Sequence, residues 1–121
     1  MTLIQQIFVA LIALEHIYIL WLEMFAWNTP YGRKTFSTIP ADLFSRTTVL
    51  AANQGLYNGF LAAGLIWALL IHDPVWSKNV ALFFISCVAS AGIYGGMTAT
   101  RRIFFVQALP AIITLTGLLS M

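Results

Sequence analysis

Charge is scarce in this sequence. Aspartate, glutamate, lysine and arginine make up 8% of its 121 residues, while 60% are hydrophobic; a soluble domain carries ~25% charged residues. The mean hydropathy of +0.88 agrees. Such a composition excludes an ordinary soluble fold and predicts a polytopic membrane protein whose first partner is the lipid bilayer. A formal net charge of +2 is too small to point to nucleic acid. Cysteine is nearly missing as well. Cys87 stands alone, which excludes an intramolecular disulfide, and its apolar setting predicts a small apolar filler. The chain has no P-loop, dinucleotide fingerprint, nucleophile elbow or HExxH motif. One histidine within an apolar run, with no cysteine or second histidine at ligand spacing, gives no metal or haem signature. No cofactor is expected. The N-terminus lacks a basic n-region and a small-residue cleavage site, so it predicts a retained first helix rather than a signal peptide.

Four long apolar runs are what the sequence has instead, over about 3–27, 48–71, 79–99 and 103–120. Each falls near the ~17–25 residues that cross a bilayer. They predict a single domain over residues 1–121: an all-α, antiparallel bundle of four transmembrane helices. The longest connection, Asn28 to Thr47, opens with the turn signal Asn28-Thr29-Pro30-Tyr31-Gly32. Within it Pro40-Ala41-Asp42 predicts a short interfacial helix capped by Thr38, with Phe36, Ile39, Leu43 and Phe44 as its apolar face. His72 to Lys78 forms a short second connection whose His72 and Asp73 read as solvated loop residues, and Arg101-Arg102 marks a tighter third.

Orientation follows from the basic residues. Arg33, Lys34 and Arg46 lie in the first connection and Arg101 and Arg102 in the third, against Lys78 alone in the second. This bias predicts a cytoplasmic first loop and both termini outside. With that orientation, polar residues gather in the cytoplasmic half of every span. Asn53, Gln54, Tyr57 and Asn58 stand early in the second run, Tyr94 and Thr98 late in the third, and Gln107 early in the fourth.

The first run carries the sharpest signal. It holds Glu15, His16 and Glu23, which are two of the four acidic residues and one of the two histidines. A charged group at the bilayer centre costs at least ~2.5 kcal/mol, so intramembrane ionisable residues face the bundle interior and mark functional sites. At ~100° per residue, Glu15 sits at roughly 0°, His16 at 100° and Glu23 at 80°, while Leu14, Ile17 and Trp21 form a lipid face. We therefore take Glu15, His16 and Glu23 as acid–base candidates. Asn53, Gln54, Tyr57, Asn58, Tyr94 and Gln107 are the ligand-binding candidates. The alternative for all of them is a polar knot that holds helices together. Gly55 with Gly59 and Gly92 with Gly96 read as packing devices that let backbones approach. Tyr18, Tyr31 and Trp76 read as packing or interfacial aromatics.

Several blocks bear a likeness to a known family. Leu14-Glu15-His16-Ile17-Tyr18 with Leu22-Glu23-Met24-Phe25, Asn53 to Phe60, Ala91-Gly92-Ile93-Tyr94-Gly95, and Gln107 with Pro110-Ala111 resemble domain-of-unknown-function family 1304 (DUF1304). The resemblance covers essentially the whole chain. It implies a small bacterial inner-membrane protein with four spans and no established activity.

Two functions fit the residues. One is a cytoplasm-facing intramembrane pocket for a small lipophilic molecule, with acid–base chemistry at Glu23 and His16. The other is a proton-coupled transporter that acts as a homodimer, with Glu15 as its carrier carboxylate. The apolar outer half of the second span speaks against transport, because alternating access needs openings on both sides. A structural or accessory subunit is the third reading.

Overall fold

The computed structural model describes residues 1–120 and is helical throughout, with no strand among the described residues. Five helices follow in order: α1 (Leu3–Met24), α2 (Pro30–Thr35), α3 (Thr48–Leu70), α4 (Pro74–Thr98) and α5 (Arg101–Leu119). A single 3-10 turn, Ala41–Leu43, lies between α2 and α3. Helices α1, α4 and α5 are long and apolar enough to cross a membrane. Helix α3 has the length, 23 residues. Its polar stretch at Asn53, Gln54 and Asn58 lowers its hydropathy, so it does not stand with the other three as a candidate span.

The chain forms two compact units. One comprises Met1–Ala13 and the chain from Leu61 onward, and the other Leu14–Phe60. In the first unit, four helical segments share one apolar core. Val9, Ile12 and Ala13 of α1 meet Leu65 and Ala68 of α3, Ile85 and Val88 of α4, and Ala111 and Leu118 of α5. The polar groups around this core are matched locally. Thr2 and Gln5 form a reciprocal cap, Gln5 N–H donating to Thr2 Oγ1 at 3.2 Å and Thr2 N–H to Gln5 Oε1 at 2.9 Å. Gln5 Nε2 also donates to Gly117 O at 2.9 Å, which joins α1 to α5. Ser77 Oγ donates to Ala68 O at 2.7 Å and joins α4 to α3. Ser90, Thr98, Thr114 and Thr116 each donate to the carbonyl four residues back, so apolar helices carry hydroxyls without leaving them unmatched.

Helix boundaries differ from the sequence reading where caps decide them. Helix α4 begins at Pro74, not near Asn79, because Asp73 caps it, accepting from the N–H groups of Val75 at 2.9 Å and Trp76 at 3.0 Å. Asp73 is thus an N-cap followed by proline at N1 rather than a merely solvated loop residue. The same chemistry converts the expected turn at Thr29-Pro30 into α2. Thr29 Oγ1 accepts from Gly32 N at 3.1 Å, and Pro30 takes the first helical position. Helix α1 ends at Met24, three residues before the expected Trp27. Thr38 does not cap the 3-10 turn; Pro40 precedes it and makes no side-chain cap bond.

The fourth apolar run is not a uniform α-helix either. Phe104–Ala108 is π-helical, and Leu109 N–H reaches Phe104 O. Pro110 supplies the cause: it has no N–H for the carbonyl of Val106, and its ring crowds that carbonyl, so the helix widens by one residue just before it. Helix α4 meets this widened stretch at its glycines. A Cβ on Gly92 would stand 2.5 Å from Ala108 N and 2.8 Å from Ala108 Cα, and one on Gly96 would stand 2.6 Å from Phe104 Cβ. No side chain fits there.

Gly92→Val is therefore expected to lower stability by about 1–3 kcal/mol through overpacking. Gly117→Ala, whose Cβ meets nothing within 4 Å, should be neutral or stabilising by up to about 1 kcal/mol. Denaturant unfolding in detergent micelles reads both. Equal losses at the two positions would show that close approach is not what Gly92 serves.

Candidate functional site

The second unit, Leu14–Phe60, is built from the lower part of α1, the connection and the start of α3. Its polar centre depends on which face of α1 turns inward. His16, Leu22 and Glu23 are buried while Leu14, Ile17, Tyr18 and Trp21 are exposed, which is the division that helical phase predicts. His16 is 1% exposed and Glu23 6%. Glu15 is half-buried. Eight residues separate Glu15 from Glu23, a rise of about 12 Å along the helix, and seven separate His16 from it, about 10 Å. The ionisable groups are thus strung along α1 and do not share one point. Among the described residues, no three His, Cys, Asp or Glu side chains converge to hold a metal ion.

The partner of Glu23 comes from α3. Asn58 Nδ2 donates to Glu23 Oε1 at 2.6 Å and lies 3.2 Å from Gln54 O of its own helix. Glycine makes this approach feasible. A Cβ on Gly55 would stand 2.7 Å from Met24 Cγ and 3.0 Å from Glu23 Cβ, and one on Gly59 would stand 2.5 Å from Leu20 Cδ1. The small-residue pair therefore seats α3 against the Leu20–Met24 turn of α1 and presents Asn58 to the carboxyl group. Among the described residues, every buried side-chain nitrogen and oxygen has a hydrogen-bond partner.

The other candidates on α3 face outward. Asn53 is exposed and donates to Val49 O at 3.0 Å. Gln54 is exposed, and Tyr57, 64% exposed, stands edge-on to Phe60. The two remaining candidates belong to the other unit. Tyr94 is 71% exposed on α4, and Gln107 is half-buried within the π-helical part of α5.

The connection is more structured than its sequence suggests. Trp27 packs against Phe36 and Phe44, each ring 5.0 Å away, and donates through Nε1 to Thr47 Oγ1 at 3.0 Å. Phe44 is fully buried. The Tyr31 hydroxyl is hydrogen-bonded to that of Tyr18, and Trp21 lies against both rings. Sequence reading assigned these tyrosines to packing or interfacial belts and missed their pairing. The signal was Thr29-Pro30, the cap and first residue of the helix that carries Tyr31 back to α1.

Removing the donor to Glu23 tests this arrangement. Interhelical hydrogen bonds in membranes average ~0.6 kcal/mol, but a short bond to a buried acid belongs at the upper end. Asn58→Ala should cost about 1–2 kcal/mol. Adding Glu23→Leu to it should recover part of the loss, because no polar group is then left without its partner. Unfolding of the single and double variants in micelles measures both effects.

Comparison with known proteins agrees with the resemblance in the residue blocks. The chain is similar to the uncharacterized protein YpaA of Lactococcus lactis subsp. lactis (strain IL1403), 33% identical over 117 residues, which covers 95% of this chain and 96% of that protein. No solved structure matches it. A family model described as a protein of unknown function (DUF1304) matches residues 10–119. This range takes in the Glu15–Glu23 stretch, the whole of α3 and α4, and α5 to its last residue, so the chain belongs to the DUF1304 family.

Proposed function

We propose that this protein is a four-span integral membrane protein of the bacterial inner membrane, with both termini outside. Its cytoplasmic half would hold a polar pocket for the head of a small lipophilic molecule. At ~1.5 Å per residue, the 23 residues of α3 reach about 34 Å, enough to cross the ~30 Å hydrocarbon layer despite their polar run. The observation that carries the pocket is the Glu23–Asn58 pair. A buried carboxyl group accepts from a half-buried amide, and one turn away on α3 the Gln54 side chain is exposed. Together with the Tyr57 hydroxyl, these groups form a graded series of donors and acceptors from surface to interior. A substrate hydroxyl that accepts from the Gln54 side-chain amide and takes the place of Asn58 at Glu23 would bring its proton within reach of that carboxyl group, while His16, about 10 Å away along α1, would not share it directly. Acid–base chemistry on such a substrate is the reaction class this set supports.

Glu15 favours a second reading. It is half-buried, lies about 12 Å along α1 from Glu23, and sits beside the exposed Leu14 and Tyr18. A carboxyl group so placed suits the carrier of a proton-coupled transporter formed by two copies of the chain. The close packing of Gly55 on Glu23 Cβ suits a third, in which the pair is a structural clamp.

Dicyclohexylcarbodiimide, which modifies carboxylic acids reachable from an apolar phase, separates the three. In membranes containing the full chain, peptide mass spectrometry should find Glu23 modified, faster in Asn58→Ala and absent in Glu23→Gln. Modification of Glu15 alone would move the assignment to the carrier. Modification of neither would leave the clamp.

Topology has its own test. Alkaline phosphatase fused after His72 should be active outside the cytoplasm, whereas fusions after Arg46 and Arg102 should be inactive. The reverse pattern would invert the protein and move the proposed pocket to the other side.

A further inference from the structure

The first unit contains a groove that the Glu23 site does not use. It has a volume of about 340 Å³ and is lined by Ile93, Gly96, Met97, Arg101, Phe104 and Phe105. Its walls are apolar apart from one guanidinium. Its floor is set by Gly96, where α4 packs closely on the π-helical part of α5, a Cβ there meeting Phe104 Cβ at 2.6 Å. Both walls are open outward: Met97 is 81% exposed, and Ile93 and Phe105 are exposed as well.

The position of Arg101 makes the groove specific. Helix α4 ends at Thr98 and α5 starts at Arg101, so the arginine stands where two membrane-length helices turn back. That is the level of lipid headgroups on whichever side the turn lies. Guanidinium offers a planar fork that matches a phosphate. A volume near the lower limit of the ~300–1,000 Å³ usual for ligand sites suits one acyl chain rather than a bulky ring system. A second groove, about 310 Å³ and lined by Trp67, Trp76, Asn79, Val80, Phe83 and Phe84, has no charged residue and serves as an internal contrast.

We propose that the groove between the end of α4 and the start of α5 binds an anionic phospholipid, one acyl chain lying along Ile93, Met97 and Phe105 and the phosphate resting on Arg101. The occupant follows from complementarity of charge and polarity. It must carry a negative group at one end and a flexible apolar body at the other, and it must be present at the headgroup level of a bilayer. The inference rests on α4 and α5 being spans and is independent of the Glu23 pocket.

Native mass spectrometry of the full chain in detergent, titrated with palmitoyl-oleoyl phosphatidylglycerol or the corresponding phosphatidylcholine, tests it. The first phosphatidylglycerol should bind about fivefold more tightly than phosphatidylcholine, as one basic residue near anionic lipid implies. Arg101→Gln should bring that ratio to about one, Arg101→Lys should keep most of it, and Arg102→Gln should leave it unchanged. Met97→Trp, which fills the groove, should weaken both lipids severalfold. Circular dichroism confirms that each variant is folded, and the lysine variant keeps the test decisive if Arg101→Gln is not. The proposal is overturned by a wild-type ratio of one, by a preference that survives Arg101→Gln, or by equal losses at Arg101 and Arg102. It also fails if inorganic phosphate alone displaces the lipid, or if Met97→Trp dissociates a dimer, which would make a second copy of the chain the occupant. None of these outcomes bears on carbodiimide labelling of Glu23.

Discussion

A chain with so little polar surface must match nearly every buried polar atom within itself, and this constraint shapes both units. Where water is excluded, an unmatched N–H or carboxyl group costs several kcal/mol, more than any single packing contact returns. Ser90 and Thr98 of α4 and Thr114 and Thr116 of α5 meet the constraint locally by donating to carbonyls four residues back. Gln5 meets it over distance, with its amide divided between its own cap and Gly117 of α5. Glu23 can meet it only through another helix, and Asn58 supplies the donor.

From that requirement the glycines acquire their meaning. A 2.6 Å bond between side chains of two helices needs the helices close together, and Gly55 and Gly59 provide the space opposite Met24, Glu23 and Leu20. The same device recurs at Gly92 and Gly96 for a different end, to admit a helix that Pro110 has widened. In one case close packing presents a polar group to a carboxyl group. In the other it accommodates an irregular backbone.

How much of this was legible in the sequence depended on the range of the interaction. The apolar runs and the inward face of α1 were readable because helical period and hydropathy are local properties, and Leu14, Ile17 and Trp21 are exposed as phase requires. Cap chemistry is local as well, but a capping side chain before proline has the same composition as a turn. Asp73-Pro74 and Thr29-Pro30 both carry a capping side chain followed by proline at N1, and both start helices inside segments whose composition predicts loop or turn. The π-helical stretch follows from Pro110 once the run is known to be one helix, but a proline inside an apolar run also fits a plain kink. Which α3 side chains turn inward was not legible. Asn53, Gln54, Tyr57 and Asn58 share an arc of roughly 140°, which suits convergence of all four, yet only Asn58 reaches Glu23. Register between two helices decides that, and hydropathy does not encode register.

The exposed members of that arc bear on the chemistry of the site. Were Asn58 there only to satisfy Glu23, an apolar remainder of α3 would serve best, since each exposed amide or hydroxyl costs transfer energy wherever it meets lipid. Asn53 offsets part of its cost by donating to Val49 O. Gln54 and Tyr57 stand exposed on the same stretch of helix that carries Asn58, and the clamp gives no reason for them. A polar ligand that approaches along α3 gives one, because it would exchange bonds with these groups before reaching the buried pair. The pocket reading therefore draws on the buried Glu23–Asn58 pair together with the exposed Gln54 one turn away, which a clamp does not need.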